Sequence, residues 1–245
     1  MTESSSLDDV RAQYEALPYP PRDPRDEAIR LITGTPSHIL EINHYLFAGR
    51  LSFNRPFRAL VAGGGTGDAC IMLAQQMADR RCPGEVVYLD LSTASRAICE
   101  GRAKARSLRN VQFLSGSLLD LPNMNLGQFD YIDCTGVLHH LPDPVAGIKA
   151  LASVLQPEGG MGVMLYGEYG RSGVYQLQEI LRTLAPTSMA TEDRLAMARR
   201  LIRFLPTTNL FRRNAYLNDH VTGGDAGLYD LLLHSCDRAY TVPQI

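Results

Sequence analysis

Four of the five residues in Gly63-Gly64-Gly65-Thr66-Gly67 are glycine, and Asp68 follows directly. Backbone without Cβ atoms lets N–H groups come close to a ligand. One glycine would serve a tight turn, so four in five point to a cradle. The apolar run Phe57–Ala62 precedes the loop and a helical pattern begins at Asp68, which places the cradle where a strand hands over to a helix N-terminus. Phosphate-binding readings fail on the residues. A dinucleotide loop wants a small third residue in G-x-G-x-x-G/A, and that place holds Asp68 or Cys70. A Walker-type loop ends in Gly-Lys-Ser/Thr, which is absent here. Asp68 would also set an anion against a pyrophosphate. A phosphate-free ligand with a cationic or zwitterionic part suits this loop.

The elements that must position the loop are legible as alternating patterns. Short apolar runs of strand length occur at Phe57–Ala62, Val86–Asp90, Val111–Leu114, Phe129–Asp133 and Met161–Tyr166. Helical patterns fall between them, near Asp68–Arg80, Thr93–Ser107 and Pro144–Leu155. The last has Asp143 as N-cap, Pro144 at the first helical position, and Val145, Ile148, Leu151 and Leu155 on one face. Pro157-Glu158-Gly159-Gly160 reads as the turn that follows. Strands apolar on both faces and alternating with helices predict an α/β fold, a doubly wound, mostly parallel sheet covered on both sides.

Flanking segments read differently. Met1–Asp9 is Ser-rich and acidic and reads as a disordered tail. Pro18-Tyr19-Pro20-Pro21 with Pro24 must be extended. Asp26 to Leu46 reads as helical, broken at Gly34-Thr35-Pro36, with Ser37 as a cap for the second piece. After Tyr166 the alternation stops. Gly173 to Leu205, interrupted at Ala185-Pro186, and Leu228–Cys236 read as helices.

The glycine loop resembles motif I of the class I S-adenosylmethionine-dependent methyltransferases, usually written G-x-G-x-G, and three further segments follow in that family's order. Val86-Val87-Tyr88-Leu89-Asp90 ends in an acid, 23 residues beyond Gly67. Gly116-Ser117-Leu118-Leu119-Asp120-Leu121-Pro122 is similar to the adenine-side segment. Phe129–Asp133 through Val137-Leu138-His139-His140-Leu141-Pro142-Asp143-Pro144 is similar to motif IV and the helix after it. The resemblance covers about Phe57 to Tyr166. It implies a Rossmann-like methyltransferase fold with S-adenosylmethionine as cofactor. It also implies a cofactor site built from Gly63, Gly64, Gly65, Gly67, Asp68, Asp90, Leu91, Ser117, Leu118 and Thr135, with Asp90 accepting from the ribose hydroxyls. Two positions depart from the family. Val61 stands where an acid usually precedes the loop, and Ser117 stands where Asp often meets the adenine. Asp68 is the nearest acid that could stand in near the methionine ammonium.

Methyl transfer needs an oriented acceptor and a group to take its proton. Candidates at the carboxyl ends of the fourth and fifth strands are Asp133, Cys134, His139, His140, Tyr166, Glu168 and Tyr169; His139 and Glu168 are taken as the catalytic pair. A catalytically silent scaffold that keeps the cofactor fold is the rival reading. A nicotinamide-dependent oxidoreductase comes third, opposed by Asp68 and Cys70.

Composition narrows the partners. The 245 residues carry 24 Lys+Arg against 26 Asp+Glu, a net charge of −2, so no global field recruits nucleic acid or a membrane. No stretch approaches a membrane span, and a soluble, cytoplasmic protein is expected. Cys70, Cys82, Cys99, Cys134 and Cys236 form no C-x-x-C pair, which argues against a disulfide framework and a zinc site. Seven Arg between Arg182 and Arg213 face only Glu192 and Asp193; without interleaved aromatics this reads as a solvated face, and the unidentified methyl acceptor is expected to be a small molecule or protein before RNA. Three regions result: 1–50, a disordered tail with a Pro-rich and helical lid; 51–170, the cofactor-binding core; and 171–245, a helical substrate-side segment that reads as truncated. The family's C-terminal strand pair is missing from that last region. The fifth strand should therefore keep an open edge, for a second copy in a homodimer or a longer chain to cover. Tyr240-Thr241-Val242-Pro243 resembles a helix entrance, with Thr241 as cap.

Overall fold

The computed structural model describes the backbone of residues 3–245 and the side chains from Leu7 onward. Ahead of the sheet stand helices α1 (Glu3–Ala16) and α2 (Ile39–Phe47). Five strands then form one parallel sheet: β1 (Phe57–Ala62), β2 (Gly84–Asp90), β3 (Val111–Ser115), β4 (Phe129–Thr135) and β5 (Leu155–Met164). Their spatial order is β3-β2-β1-β4-β5. The direction of winding reverses between β1 and β4, and ligands of open α/β sheets bind at the strands' carboxyl ends beside such a reversal.

Helices α3 (Asp68–Asp79), α4 (Thr93–Ala105) and α5 (Pro144–Ser153) cover the sheet. Alternation along β1 shows why both faces need cover. Ala59 and Val61 pack with Ile39, Ile42, Ile71 and Cys99, while Leu60 and Ala62 pack with Leu121, Leu138 and Leu151. Asp143 caps α5 as its sequence predicts, accepting from the N–H groups of Val145 and Ala146. Four of the cysteines, Cys70, Cys82, Cys99 and Cys134, are buried thiols.

Beyond the sheet lie α6 (Val174–Leu184), α7 (Thr191–Phe204), α8 (Leu210–Arg213), α9 (Asp219–Thr222) and α10 (Gly224–Leu232). They share an apolar core of their own around Leu177, Leu181, Leu195, Phe211, Leu228 and Leu231. On the arginine-rich α7, Arg194 is buried and donates to the carbonyls of Ala185 and Leu233. Arg199, Arg200 and Arg203 are exposed.

Four readings of the sequence need correction. Met1 and Thr2 lie outside the described residues, but from Glu3 the expected tail is helical. Leu7, Val10 and Tyr14 fall at offsets of three and four, one helical stripe, and Val10 is buried. Asp26–Leu46 is not helical throughout: a 3₁₀ turn covers Pro24–Ala28 and the chain has no regular structure from there until α2. His38, not Ser37, caps α2, because the Ser37 hydroxyl is spent on Asp133. Last, Pro157-Glu158-Gly159-Gly160 lies inside β5. The register against β4 slips between Phe129↔Leu155 and Tyr131↔Gly160, so the turn-like residues form a bulge. An edge strand tolerates Pro and a bulge where a central strand would not.

Among the described residues no further strand pairs with the outer edge of β5. A single parallel bridge, Gly167↔Tyr240, follows its end. Val242–Gln244 then makes a 3₁₀ turn with Thr241 at its cap.

Candidate cofactor and acceptor site

A cavity of about 460 Å³ opens at the carboxyl ends of β1, β2 and β4. Its base is the glycine loop. Gly63 and Gly64 both donate to the Leu89 carbonyl, at 2.8 and 3.1 Å, and Gly65 donates to Asp90 Oδ2 at 2.7 Å. Gly65 has φ of +51°, and a Cβ there would meet the Tyr19 carbonyl at 2.9 Å. At Gly64 a Cβ would strike the Tyr88 ring at 2.4 Å, and that ring's hydroxyl donates to the Gly65 carbonyl at 2.6 Å.

Asp90 projects from the end of β2 into the cavity. Each carboxylate oxygen accepts one backbone N–H, from Gly65 and from Ser92 at 2.8 Å. An ionised carboxylate has about four acceptor sites, so both oxygens keep capacity for a ligand's hydroxyls. Burial raises the Asp90 carboxyl, against the Ser92 and Gly65 N–H groups that lower it. Leu91, Ser117 and Leu118 continue this wall. The Ser117 hydroxyl accepts from Leu119 N–H at 3.1 Å and so caps the 3₁₀ turn Leu118–Asn123.

Asp68 lines the cavity but is already matched. Arg22 donates to both of its oxygens, at 2.9 and 2.6 Å, and Arg102 donates to Oδ1 at 2.7 Å. Burial alone would raise this carboxyl; the two guanidiniums hold it below its ordinary value. Arg102 is itself buried and also donates to Glu27 and the Thr66 carbonyl. The Thr66 hydroxyl donates to Pro20 O at 2.6 Å. Together these contacts pin residues 20–27 over the loop. Gly67 does not line the cavity: it precedes α3 at φ of +102°, and a Cβ there would meet Cys99 Sγ at 2.3 Å.

The opposite wall comes from β4, β5 and the helical segments. Thr135 and Asp133 stand at the end of β4, with His140 just beyond. Tyr166 is sandwiched, its ring centroid 3.8 Å from that of His139 and 3.7 Å from the Arg171 guanidinium. From the roof, Tyr14 donates to Asp230 Oδ1 at 2.8 Å and Tyr19 donates to Asp219 Oδ1 at 2.9 Å. Two tyrosine–aspartate bonds thus tie the N-terminal segment to α9 and α10 across the cavity.

The two expected catalytic residues are not in this wall. Glu168 is exposed, its backbone N–H bonded to Tyr240 O. His139 is fully buried, and neither ring nitrogen has a hydrogen-bond partner among the described residues. Burial, with the charges of His140 and Arg171, pushes its pKa down to about 2. Its neighbour His140 lines the cavity instead. The His140 Nδ1 donates to Cys236 O at 2.8 Å, which assigns the proton to Nδ1 and leaves the Nε2 lone pair available.

His140, Asp230 and His234 bring potential ligand atoms within 4.8 Å of one another. Their hydrogen bonds give the trio another use. His234 Nδ1 accepts from Cys236 N–H at 3.1 Å, so the neutral ring carries its proton on Nε2, 3.2 Å from the Tyr14 hydroxyl. Neither His234 nitrogen then has a lone pair left for a cation. The chain His234–Tyr14–Asp230 orients the roof, and His234 stacks on His140 at 3.8 Å and 14°.

The buried His139 has a testable consequence for acid stability. Unfolding frees its imidazole to take a proton at about pH 6.5, while the folded form stays neutral. The unfolded state therefore binds more protons between pH 6.5 and about 2, and this group costs stability progressively as pH falls through that window. Urea titrations at pH 7.5 and 5 should show a smaller acid-induced loss in His139→Leu than in the wild type. An equal loss in both proteins would place the acid sensitivity elsewhere.

Residues 60–161 match the family described as methyltransferase domain. An uncharacterized protein of Synechococcus sp. is 34% identical over 212 residues, which is 83% of this chain and 48% of that protein. A demethylmenaquinone methyltransferase of Geobacillus kaustophilus is 34% identical over 116 residues, 47% of each chain. The chain spans about half the length of these curated relatives. Among solved structures, PKMT2 from Rickettsia typhi superimposes with a TM-score of 0.63 at 19% identity, over 85% of this chain and 40% of that one. The same protein in complex with AdoHcy gives 0.60 at 20% identity, over 83% and 40%. At such identity the two structures speak for the fold.

Proposed function

This chain carries a class I S-adenosylmethionine-dependent methyltransferase domain, and from that premise we propose that the protein methylates a neutral or cationic acceptor held under the Tyr14–Asp230 roof, with His140 receiving the acceptor's proton. The observation that supports this most is one cavity lined together by the bare glycine loop, the Asp90 carboxylate and, from its opposite wall, His140.

The residues fit the cofactor. Asp90 offers free acceptor sites to a ribose diol, and the loop leaves room for close approach. Ser117 and Leu118 stand where the adenine side is expected. Bound there, S-adenosylmethionine supplies a methyl group on a sulfonium, whose leaving group is a neutral thioether. The protein's own task is to orient the acceptor and take its proton. His140 Nε2 is the available base. Tyr166, fixed between His139 and Arg171, supplies a rigid side of the acceptor space.

Acceptor charge follows from the lining. Asp219 and Asp230 face the cavity, and none of its described lining residues is Lys or Arg. A phosphate-bearing acceptor would meet repulsion without a counter-charge, whereas an amine or a neutral hydroxyl would not. This favours a small molecule or protein side chain over RNA.

Incubation with methyl-labelled S-adenosylmethionine and fractionated cell extract tests the proposal. Label is expected in small-molecule amines or alcohols, or in protein. Label confined to RNA would overturn the acceptor reading. Tight cofactor binding with no transfer to any fraction would favour a silent cofactor-fold scaffold.

A further inference from the structure

We propose that Asp133 supplies the carboxylate that β1 lacks and holds the amino group of the bound cofactor. The inference rests on the cofactor assignment above. Val61 occupies the position, two residues before Gly63, where the resemblance leads one to expect an acid. In the parallel register Val61 pairs with Asp133 of β4, so the two residues lie side by side on neighbouring strands. Paired residues in a sheet project to the same face. The acid has moved one strand sideways and stays beside the loop.

Its surroundings suit a cationic partner. Asp133 is 2% exposed yet lines the cavity. Ser37 Oγ donates to Oδ2 at 2.5 Å, Thr135 Oγ1 donates to Oδ2 at 3.1 Å, and Thr135 N–H donates to Oδ1 at 3.2 Å. Those bonds are neutral and leave Oδ1 with acceptor capacity. No Lys, Arg or His among the described residues forms an ion pair with it. A buried carboxylate without a counter-charge is costly, and an ammonium arriving with the ligand relieves that cost. Asp68, the other acid beside the loop, is already neutralised by Arg22 and Arg102. Of the two, Asp133 is the one with charge to give.

Two ligands isolate the claim by calorimetry. S-adenosylhomocysteine carries the amino-acid end; 5′-methylthioadenosine keeps adenosine and sulfur without it. Wild-type protein should prefer S-adenosylhomocysteine. In Asp133→Asn, and in Asp133→Ser as a second variant, that affinity should fall about tenfold or more while the 5′-methylthioadenosine affinity stays within about twofold. Thermal melts check that each variant is folded. Equal losses for both ligands would show that Asp133 acts only through the local fold, and unchanged or tighter S-adenosylhomocysteine binding would show no contact with an amino group. Either result overturns the proposal. Wild-type protein that binds neither ligand overturns the cofactor assignment, and the proposal with it.

Discussion

Asp90→Ala should weaken S-adenosylhomocysteine binding about a hundredfold or more in a calorimetric titration, with the far-ultraviolet spectrum of the wild type retained. Two charge-assisted hydrogen bonds to the ribose hydroxyls are lost, each of about 1.5–3 kcal/mol. A second loss adds to the first, because the same carboxylate fixes the loop through Gly65 N–H and the start of the next helix through Ser92 N–H. The variant should therefore also melt at a lower temperature than the wild type. An unchanged dissociation constant would remove Asp90 from the site, whatever happened to the melt.

The largest kinetic effect is expected at His140. His140→Gln should lower kcat by about 10²–10⁴, the usual range for loss of a positioned base, and leave cofactor affinity within about twofold. Glutamine keeps a donor for Cys236 O, so the hydrogen bond that orients the side chain survives. It cannot accept and carry away a proton at neutral pH. The limb of the pH–rate profile that reports a base should disappear in this variant. His139→Leu, one residue away, should keep most of its turnover. Full turnover in His140→Gln would mean that the acceptor loses its proton to water or to another group.

The contrast between these two histidines marks where sequence reasoning stops. Both sit on the 3₁₀ turn Leu138–His140, in which successive side chains point about 120° apart. One ring must face the cavity and its neighbour must not, and nothing local says which. The loop, Asp90 and the covering helices were legible because their signals are local: glycine spacing, an acid at a strand end, an N-cap before a periodic apolar stripe. The roof was not. Tyr14 meets Asp230, and Tyr19 meets Asp219, across about two hundred residues of chain. A usable signal did exist in the stripe Leu7, Val10 and Tyr14, masked by the Ser-rich, acidic residues around it. Of the polar side chains on α10, Asp230 reaches the cavity. Gly67 is the reverse case, a motif glycine outside the cavity lining whose missing Cβ makes room for Cys99. Glu168 lies outside the cavity lining: the chain bridges Tyr240 at Gly167, and Glu168 follows as an exposed residue.

A crystal structure of the protein with S-adenosylhomocysteine tests the central claim most directly. The adenosine is expected over the glycine loop, with both ribose hydroxyls within hydrogen-bond distance of the Asp90 carboxylate and the sulfur directed toward His140 and the Tyr14–Asp230 roof. A ligand seated elsewhere, or one in the cavity whose ribose makes no contact with Asp90, would contradict it.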